Sequence, residues 1–326
     1  MNKIANDTLP ANLDEEMGFT VPHDVPVPYM YRTRTYYQAL GYERPYRWAQ
    51  YVDVPFTALT KPLSESRVAV ITTAAPFLPE AGDQGPGATY NSAAKFYNVY
   101  SFPIDPEPDL RVSHVGIDRA HTTATDKNSW LPLEQFKRLA KEGRIGSIAP
   151  RIHGAPTNRS HKTTVEQDCP EMLERLREDG ADVAVLVANC PVCHQSISLT
   201  ARYLEEQGIP TVIMGCAKDI VEHCGVPRFL FSDFPLGNAA GKPHDLDSQK
   251  LTAEMALEVL ETAAGPRTTR QSPVRWSDNP DWKLDYSNVE MIPADELERR
   301  REEFNRQKEI AKAKLAEDNA KVEAAE

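Results

Sequence analysis

The chain predicts an α/β fold built on a mainly parallel, doubly wound sheet. Three observations carry that expectation. Short β-branched runs recur from Arg67 onward, helical stretches alternate with them, and Gly143, Gly180 and Gly208 stand just past three of those stretches, where left-handed helix caps belong.

The elements follow in order. Residues 1–66 are rich in proline and aromatic side chains, as in Val25-Pro-Val-Pro-Tyr29 and Pro45-Tyr-Arg-Trp48. Prolines interrupt regular elements and the rings need burial, so this part is expected to be an arm wrapping the core, with one short helix near 31–40. An α/β core spans 67–264. It opens with a strand at 67–73 and a loop carrying Gly82, Gly85 and Gly87, followed by a strand at 110–115, a helix at 133–142 and a strand at 145–149. Arg151-Ile-His-Gly-Ala-Pro156 reads as a turn, since Gly and Pro suit tight backbone geometry. Then come a helix at 166–179, strand 182–188, helix 194–207, strands 210–214 and 228–231, and helix 246–263. Residues 265–293 read as a linker containing Trp276 and Trp282. The tail, 294–326, is rich in Glu, Lys, Arg and Ala with few large apolar residues, which predicts a solvated, charged helix.

Bulk properties narrow the function. The chain has 326 residues and a net charge of −11, which argues against a nucleic-acid groove or an anionic membrane surface as the main partner. It holds no run of 18 apolar residues, and Met1-Asn-Lys-Ile-Ala-Asn lacks the apolar core of a signal peptide, so a cytoplasmic protein is expected. Its five cysteines are few and odd in number, unlike a secreted disulfide framework. Neither a GxGxxG fingerprint nor a Walker sequence occurs, so no nucleotide cofactor is indicated.

The strongest local signal is Cys190-Pro-Val-Cys193, where the apolar strand Asp182–Asn189 gives way to a helix. This places Cys190 at the helix N-cap or first turn, where free N–H groups and the helix dipole stabilise a thiolate, and Cys193 one turn along, within disulfide reach. Dithiol chemistry is the favoured reading. Two alternatives stand beside it: a metal site formed by Cys190, Cys193, Cys216 and either His223 or Cys224, and inert buried thiols. Cys169, before Pro170, reads as packing or capping. His194 adjoins the pair and is a candidate to move a proton or hold a thiolate. His114, Asp118 and His121, after a strand, are candidates for acid–base work or substrate handling, as is His153. The Phe234-Pro-Leu-Gly237 turn is a further candidate for substrate contact.

Val183–Gly215, with Asn-Cys-Pro-Val-Cys-His-Gln-Ser at its centre, resembles the selenoprotein B family of glycine, sarcosine, betaine and D-proline reductases. The resemblance is strongest to the D-proline reductase redox subunit. It is supported by the strand 68–73, the stretch from Leu131-Pro-Leu-Glu134 to Gly146, and the Phe234–Gly237 turn, and covers roughly residues 67–260. It implies an oxidoreductase that cleaves a carbon–nitrogen bond of an amino-acid-like or small amine substrate, in a version with two cysteines and no selenocysteine. Cys190 would attack and Cys193 resolve, with the reverse assignment open. It also implies a second subunit bearing a pyruvoyl group, with no cofactor in this chain, a thioredoxin-like reductant and an oligomeric assembly. The competing class is a metal-binding (zinc or iron–sulfur) or structural accessory subunit.

Overall fold

A computed structural model describes residues 21–42, 44–85, 88–157 and 160–323. Residues 1–20 of the expected arm, and Gly87 of the glycine loop, lie outside the described residues. The strands are β1 (Arg67–Thr72), β2 (Ala75–Pro76), β3 (Tyr100–Pro103), β4 (Leu110–Arg111), β5 (Ser147–Gly154), β6 (Val183–Val187), β7 (Thr211–Gly215), β8 (Arg228–Phe231) and β9 (Thr268–Gln271). The main helices are α1 (Tyr29–Ala39), α2 (Leu133–Lys141), α3 (Cys169–Glu178), α4 (Pro191–Glu206), α5 (Lys218–Cys224), α6 (Leu246–Thr262) and α7 (Ala294–Glu323).

Seven strands form one sheet in the order β3-β5-β1-β6-β7-β8-β9, all parallel except β3, which runs antiparallel to β5. The chain steps from β1 to β5 on one side, then crosses back to β6 on the other. That reversal opens a crevice beyond the carboxyl ends of β1 and β6, the place where open α/β sheets bind ligands. Strand alternation sorts the apolar side chains onto two faces. Val68, Val70, Val183, Val185, Val212 and Met214 pack with α2 and α6, while Ala69, Ile71, Leu186, Ile213 and Phe229 pack with α3 and α4. Each fully buried Val, Leu, Ile or Phe contributes about 1.5–3 kcal/mol, so two such faces account for a sheet of this size.

Several elements differ from the sequence reading. The strand expected at 110–115 is only Leu110–Arg111, paired antiparallel with β2 outside the main sheet; residues beyond it bend toward the crevice, and Tyr286 holds the bend by donating to the Gly116 carbonyl at 3.0 Å. The strand expected at 145–149 begins at Ser147 and runs on to Gly154, so 151–154 is strand rather than turn. Gly154 serves packing there, because a Cβ on it would meet the Tyr100 ring at 1.8 Å. Residues 265–293 contribute the edge strand β9, and bury Trp282 and Tyr286 against the core.

The described part of the 1–66 segment packs along the core. α1 docks beside the crevice, with Tyr29 edge-to-face on Tyr286 at 5.1 Å. Residues 46–57 cross the outer side of α4: Gln195 accepts from the Ala49 amide, and Arg202 donates to the Asp53 carbonyl. Farther along, Glu205 accepts from the Thr57 amide. This second layer explains why α4 is buried nearly all round, where a helix on a sheet face would leave a polar stripe in water. α7 lies on α1 and the 92–97 segment, with Phe304 in ring contact with Tyr37 and Tyr42 and the Tyr97 hydroxyl bonded to the Ala311 carbonyl. Among the described residues no helix is long and apolar enough to cross a membrane.

Candidate functional site

Cys190 is the N-cap of α4, with extended backbone geometry, and Pro191 occupies the first helical turn, where its missing N–H costs no hydrogen bond. Cys190 and Cys193 are joined in a disulfide, with Cα atoms 4.9 Å apart. The Cys193 amide lies 3.3 Å from Cys190 Sγ, so the helix start directs an N–H donor and the positive end of its dipole at that sulfur. Cys193 is fully buried, whereas Cys190 retains 4% exposure and lines a narrow cavity of about 60 Å³ at the switch-point crevice. The two cysteines are therefore inequivalent: Cys190 lines the cavity and Cys193 does not.

His114 shares that cavity. The Thr73 backbone engages one ring nitrogen, while Nδ1 is buried without a hydrogen-bond partner, and burial pushes the ring's pKa down to about 4. Nδ1 is thus a neutral acceptor with nothing to accept. A buried polar atom left unpaired costs free energy, and a ligand N–H or O–H would recover it. The other walls are aromatic or small, including Tyr36, Tyr37, Tyr90, Phe96, Ser113 and Thr157, and no carboxylate is among the described lining residues. Lys95 is the cation in the wall; burial lowers its pKa to about 8, and its ammonium sits 5.0 Å from the Tyr97 ring centroid.

His194 occupies a different position from His114. It is fully buried under the Cys190 turn, with Nδ1 2.7 Å from the Cys190 carbonyl oxygen and Nε2 accepting from the amides of Cys216 and Ala217 at 2.9 and 3.1 Å. Two backbone donors aimed at Nε2 fix the tautomer with hydrogen on Nδ1, and burial lowers the pKa to about 4. The ring therefore works as a neutral clamp between the start of α4 and the end of β7. Gly215 permits this approach, since a Cβ there would come within 2.6 Å of Nε2.

The remaining candidates lie around the cavity rather than in it. Asp118 is buried, which raises its carboxyl pKa, and pairs with His121 Nδ1 at 3.0 Å; His121 opens onto a separate cleft with Lys242 and His244. His153 is fully buried on β5, bonded to Asp179 and Ser101. Phe234 packs in the core near Trp276, and Gly237, at φ +107°, lies 3.2 Å from Ile117 in the sense that a Cβ would touch it there. The Leu236 carbonyl accepts from the Asp118 amide, so this turn braces the 113–118 loop from behind. The structure thus brings Cys190, Cys193 and His114 together, with His194 beneath them.

The possible metal ligands are dispersed. Among the described residues no three His, Cys, Asp or Glu side chains converge so as to hold a metal ion. Cys224 packs instead with Ala49 and Leu199, and Cys169 meets the Thr200 hydroxyl.

Residues that the sequence reading missed include Lys95, Gly116 and Tyr286. Gly116 lets the 113–118 loop press on the dithiol turn, because a Cβ on it would meet Pro191 Cδ at 2.5 Å. No local motif marks these three; they reach the cavity from segments far apart in sequence.

The sequence model of the family described as Glycine/sarcosine/betaine reductase selenoprotein B matches residues 38–189, ending one residue before Cys190. The chain is 31% identical over 213 residues to D-proline reductase subunit gamma of Acetoanaerobium sticklandii, covering 63% of this chain and 82% of that protein. It is 24% identical over 224 residues to Glycine reductase complex component B subunit gamma of Peptoclostridium litorale, covering 66% and 50% respectively. Against Betaine reductase complex component B subunit beta of Peptoclostridium acidaminophilum the values are 23% identity over 190 residues, 57% and 43%. The match thus spans half or less of the length of the latter two relatives. No solved structure matches the chain significantly.

Proposed function

Because the chain belongs to the glycine/sarcosine/betaine/D-proline reductase selenoprotein B family, we propose that it is the thiol-bearing component of a multi-subunit reductase whose dithiol cleaves a carbon–nitrogen bond. The observation that carries this reading is the Cys190–Cys193 disulfide at the start of α4, with Cys190 alone of the two facing the cavity.

The chemistry balances as follows. In the reduced protein, Cys190 thiolate, held by the Cys193 amide and the helix dipole, attacks the substrate carbon; a sulfur–carbon bond forms, the carbon–nitrogen bond breaks, and the amine leaves with a proton. Cys193 then attacks Cys190 Sγ, the disulfide forms, and the freed carbon takes a proton. The substrate gains two electrons and the dithiol loses them. A cellular dithiol restores the reduced state.

His114 Nδ1 accepts a hydrogen bond from the substrate nitrogen or its leaving form, and His194 keeps the Cys190 turn in register. The aromatic side chains of the wall, Tyr36, Tyr37, Tyr90 and Phe96, limit access of water to the attack. A pyruvoyl group on a partner subunit would activate the amine; the orphaned Nδ1 acceptor fits an N–H bearing substrate of that kind. The relatives' own names, as subunits and complex components, support a partner.

The test is turnover of D-proline, glycine, sarcosine and betaine by the chain reconstituted with its partner subunit. Cys190→Ser and Cys193→Ser are each expected to abolish turnover while preserving the circular dichroism spectrum. Turnover retained in both variants would overturn the dithiol mechanism.

A further inference from the structure

A second cavity, of about 350 Å³, adjoins the dithiol cavity and shares Thr33, Tyr37, Tyr90, Lys95, Val115 and Val192 with it. Its outer wall comes from α7 and the end of the arm, and supplies Arg44 and Lys308. Three cations, Lys95, Arg44 and Lys308, therefore line one chamber in a chain of net charge −11, with no carboxylate among the described lining residues. None of the three ion-pairs with a carboxylate among the described residues. Two of the three lie over rings instead: Lys95 over Tyr97, and Lys308 over Tyr42 at 5.3 Å. Other basic side chains near the core are held by carboxylates, as Lys283 is by Asp24 and Asp233 and Arg228 by Glu205, or by backbone carbonyls, as Arg202 is by Gly225 and Asp53. A chamber lined by three cations without a carboxylate partner among the described residues fits an anionic occupant.

The size of the passage sets what that occupant is. Cys193 is fully buried, Cys190 is 4% exposed, and the space before Cys190 is about 60 Å³, enough for a few atoms but not for a protein loop with its backbone. We propose that the chamber is a binding site for small organic carboxylates, with Lys95 holding the carboxylate at the junction of the two cavities while the other end of the molecule reaches Cys190. This rests on the dithiol reading of Cys190 and Cys193. Two sources share the chemistry: a substrate carboxylate, or a carboxylate-bearing thiol that reduces the disulfide. In the second case the thiolate attacks Cys190 Sγ, the disulfide breaks, and Cys193 leaves and takes a proton. A second such thiol then attacks the mixed disulfide and releases Cys190 and the oxidised donor, so two thiols supply two electrons.

The experiment compares reduction of the full-length oxidised protein by 3-mercaptopropionate and by 2-mercaptoethanol, following free thiols by mass spectrometry after an acid quench. Lys95→Met is expected to slow the anionic thiol about tenfold and leave the neutral one unchanged, as the loss of one charge-assisted hydrogen bond would; Lys95→Arg is expected to restore the preference. An equal change with both thiols, or none with either, would overturn the proposal. Benzoate separates the sources. Protection of reduced Cys190 from iodoacetamide by benzoate assigns a substrate carboxylate, and benzoate inhibition confined to 3-mercaptopropionate assigns the reductant. A disulfide that neither thiol opens would sink the dithiol reading itself. Benzoate binding to the oxidised protein by ligand-observed NMR, lost in Lys95→Met, then tests the anion site separately, and undiminished binding in that variant overturns it.

Discussion

His194 Nδ1 stands 2.7 Å from the carbonyl oxygen of Cys190, and the same ring accepts two backbone N–H groups from the turn after β7. One buried imidazole thus ties the redox turn to the neighbouring strand. Its protonation would put a third proton-bearing donor where two already point, which defines how the protein responds to acid.

Stability is expected to fall as pH drops from about 6.5 toward about 4, because burial lowers His114, His153 and His194 to about 4 from an ordinary value of 6.5. The sign follows from linkage: in that window the unfolded chain binds protons that the folded chain does not, so unfolding is favoured as pH falls, and the contribution is complete above about 6.5. Urea midpoints measured at intervals between pH 7 and pH 4.5 check it. His194→Asn should flatten the slope, and an unchanged slope in that variant would show that His194 does not contribute.

Gly116→Ala is expected to destabilise the protein by about 1–3 kcal/mol through overpacking, because a methyl group would meet Pro191 Cδ at 2.5 Å. Since the clash falls on the Cys190-Pro191 turn, the disulfide should also become easier to reduce by small thiols. Thermal unfolding and reduction rates are the two readouts; wild-type values for both would show that the loop yields freely.

In the reduced native protein Cys190 is expected to react first with iodoacetamide, and Cys169, Cys216 and Cys224 only on unfolding. Burial keeps those three thiols protonated, raising Cys169 to about 12 and Cys224 to about 11, with Cys216 raised as well. Peptide mapping of timed alkylation reads the order. Early modification of Cys216 would contradict the burial described for it.

Arg228 and Glu205 form a fully buried pair, 2.7 Å apart, in which the guanidinium also holds the Thr57 carbonyl and stacks on Phe56 at 4.0 Å. Glu205→Gln or Arg228→Met is expected to cost about 3–5 kcal/mol, since each strands a buried charge. Replacing both should cost less than the sum of the two, which a double-mutant cycle by urea denaturation measures. The same variants should loosen residues 46–57 from α4, visible as faster amide exchange there.

Much of the core was legible in the sequence because its signals are local. Apolar runs at 183–187 and 211–215, and the glycines after α2, α3 and α4, mark a parallel sheet with capped helices. Leu110–Val115 misled because its strand-favouring residues are drawn out of the sheet by a distant contact, Tyr286 on the Gly116 carbonyl, and Arg151–Pro156 misled because Gly154 is required by Tyr100 rather than by a turn. The linker reading of 265–293 missed β9 because Thr268–Gln271 is a polar edge strand without the apolar run of a central one.

The sequence by itself determined that Cys190 caps a helix after a buried strand, because strand, proline and helix are neighbours along the chain and their geometry follows from local backbone preferences. Only the tertiary structure decided which cysteine lines a cavity, that His114 and Lys95 stand in its wall, and that His194 is a clamp beneath it. Those relationships join residues from the start of α4, the 92–97 segment, the 113–118 loop and the turn after β7. They depend on which strands adjoin and which rings fill the space between them, and long-range packing of that kind leaves no period or spacing in the chain to read.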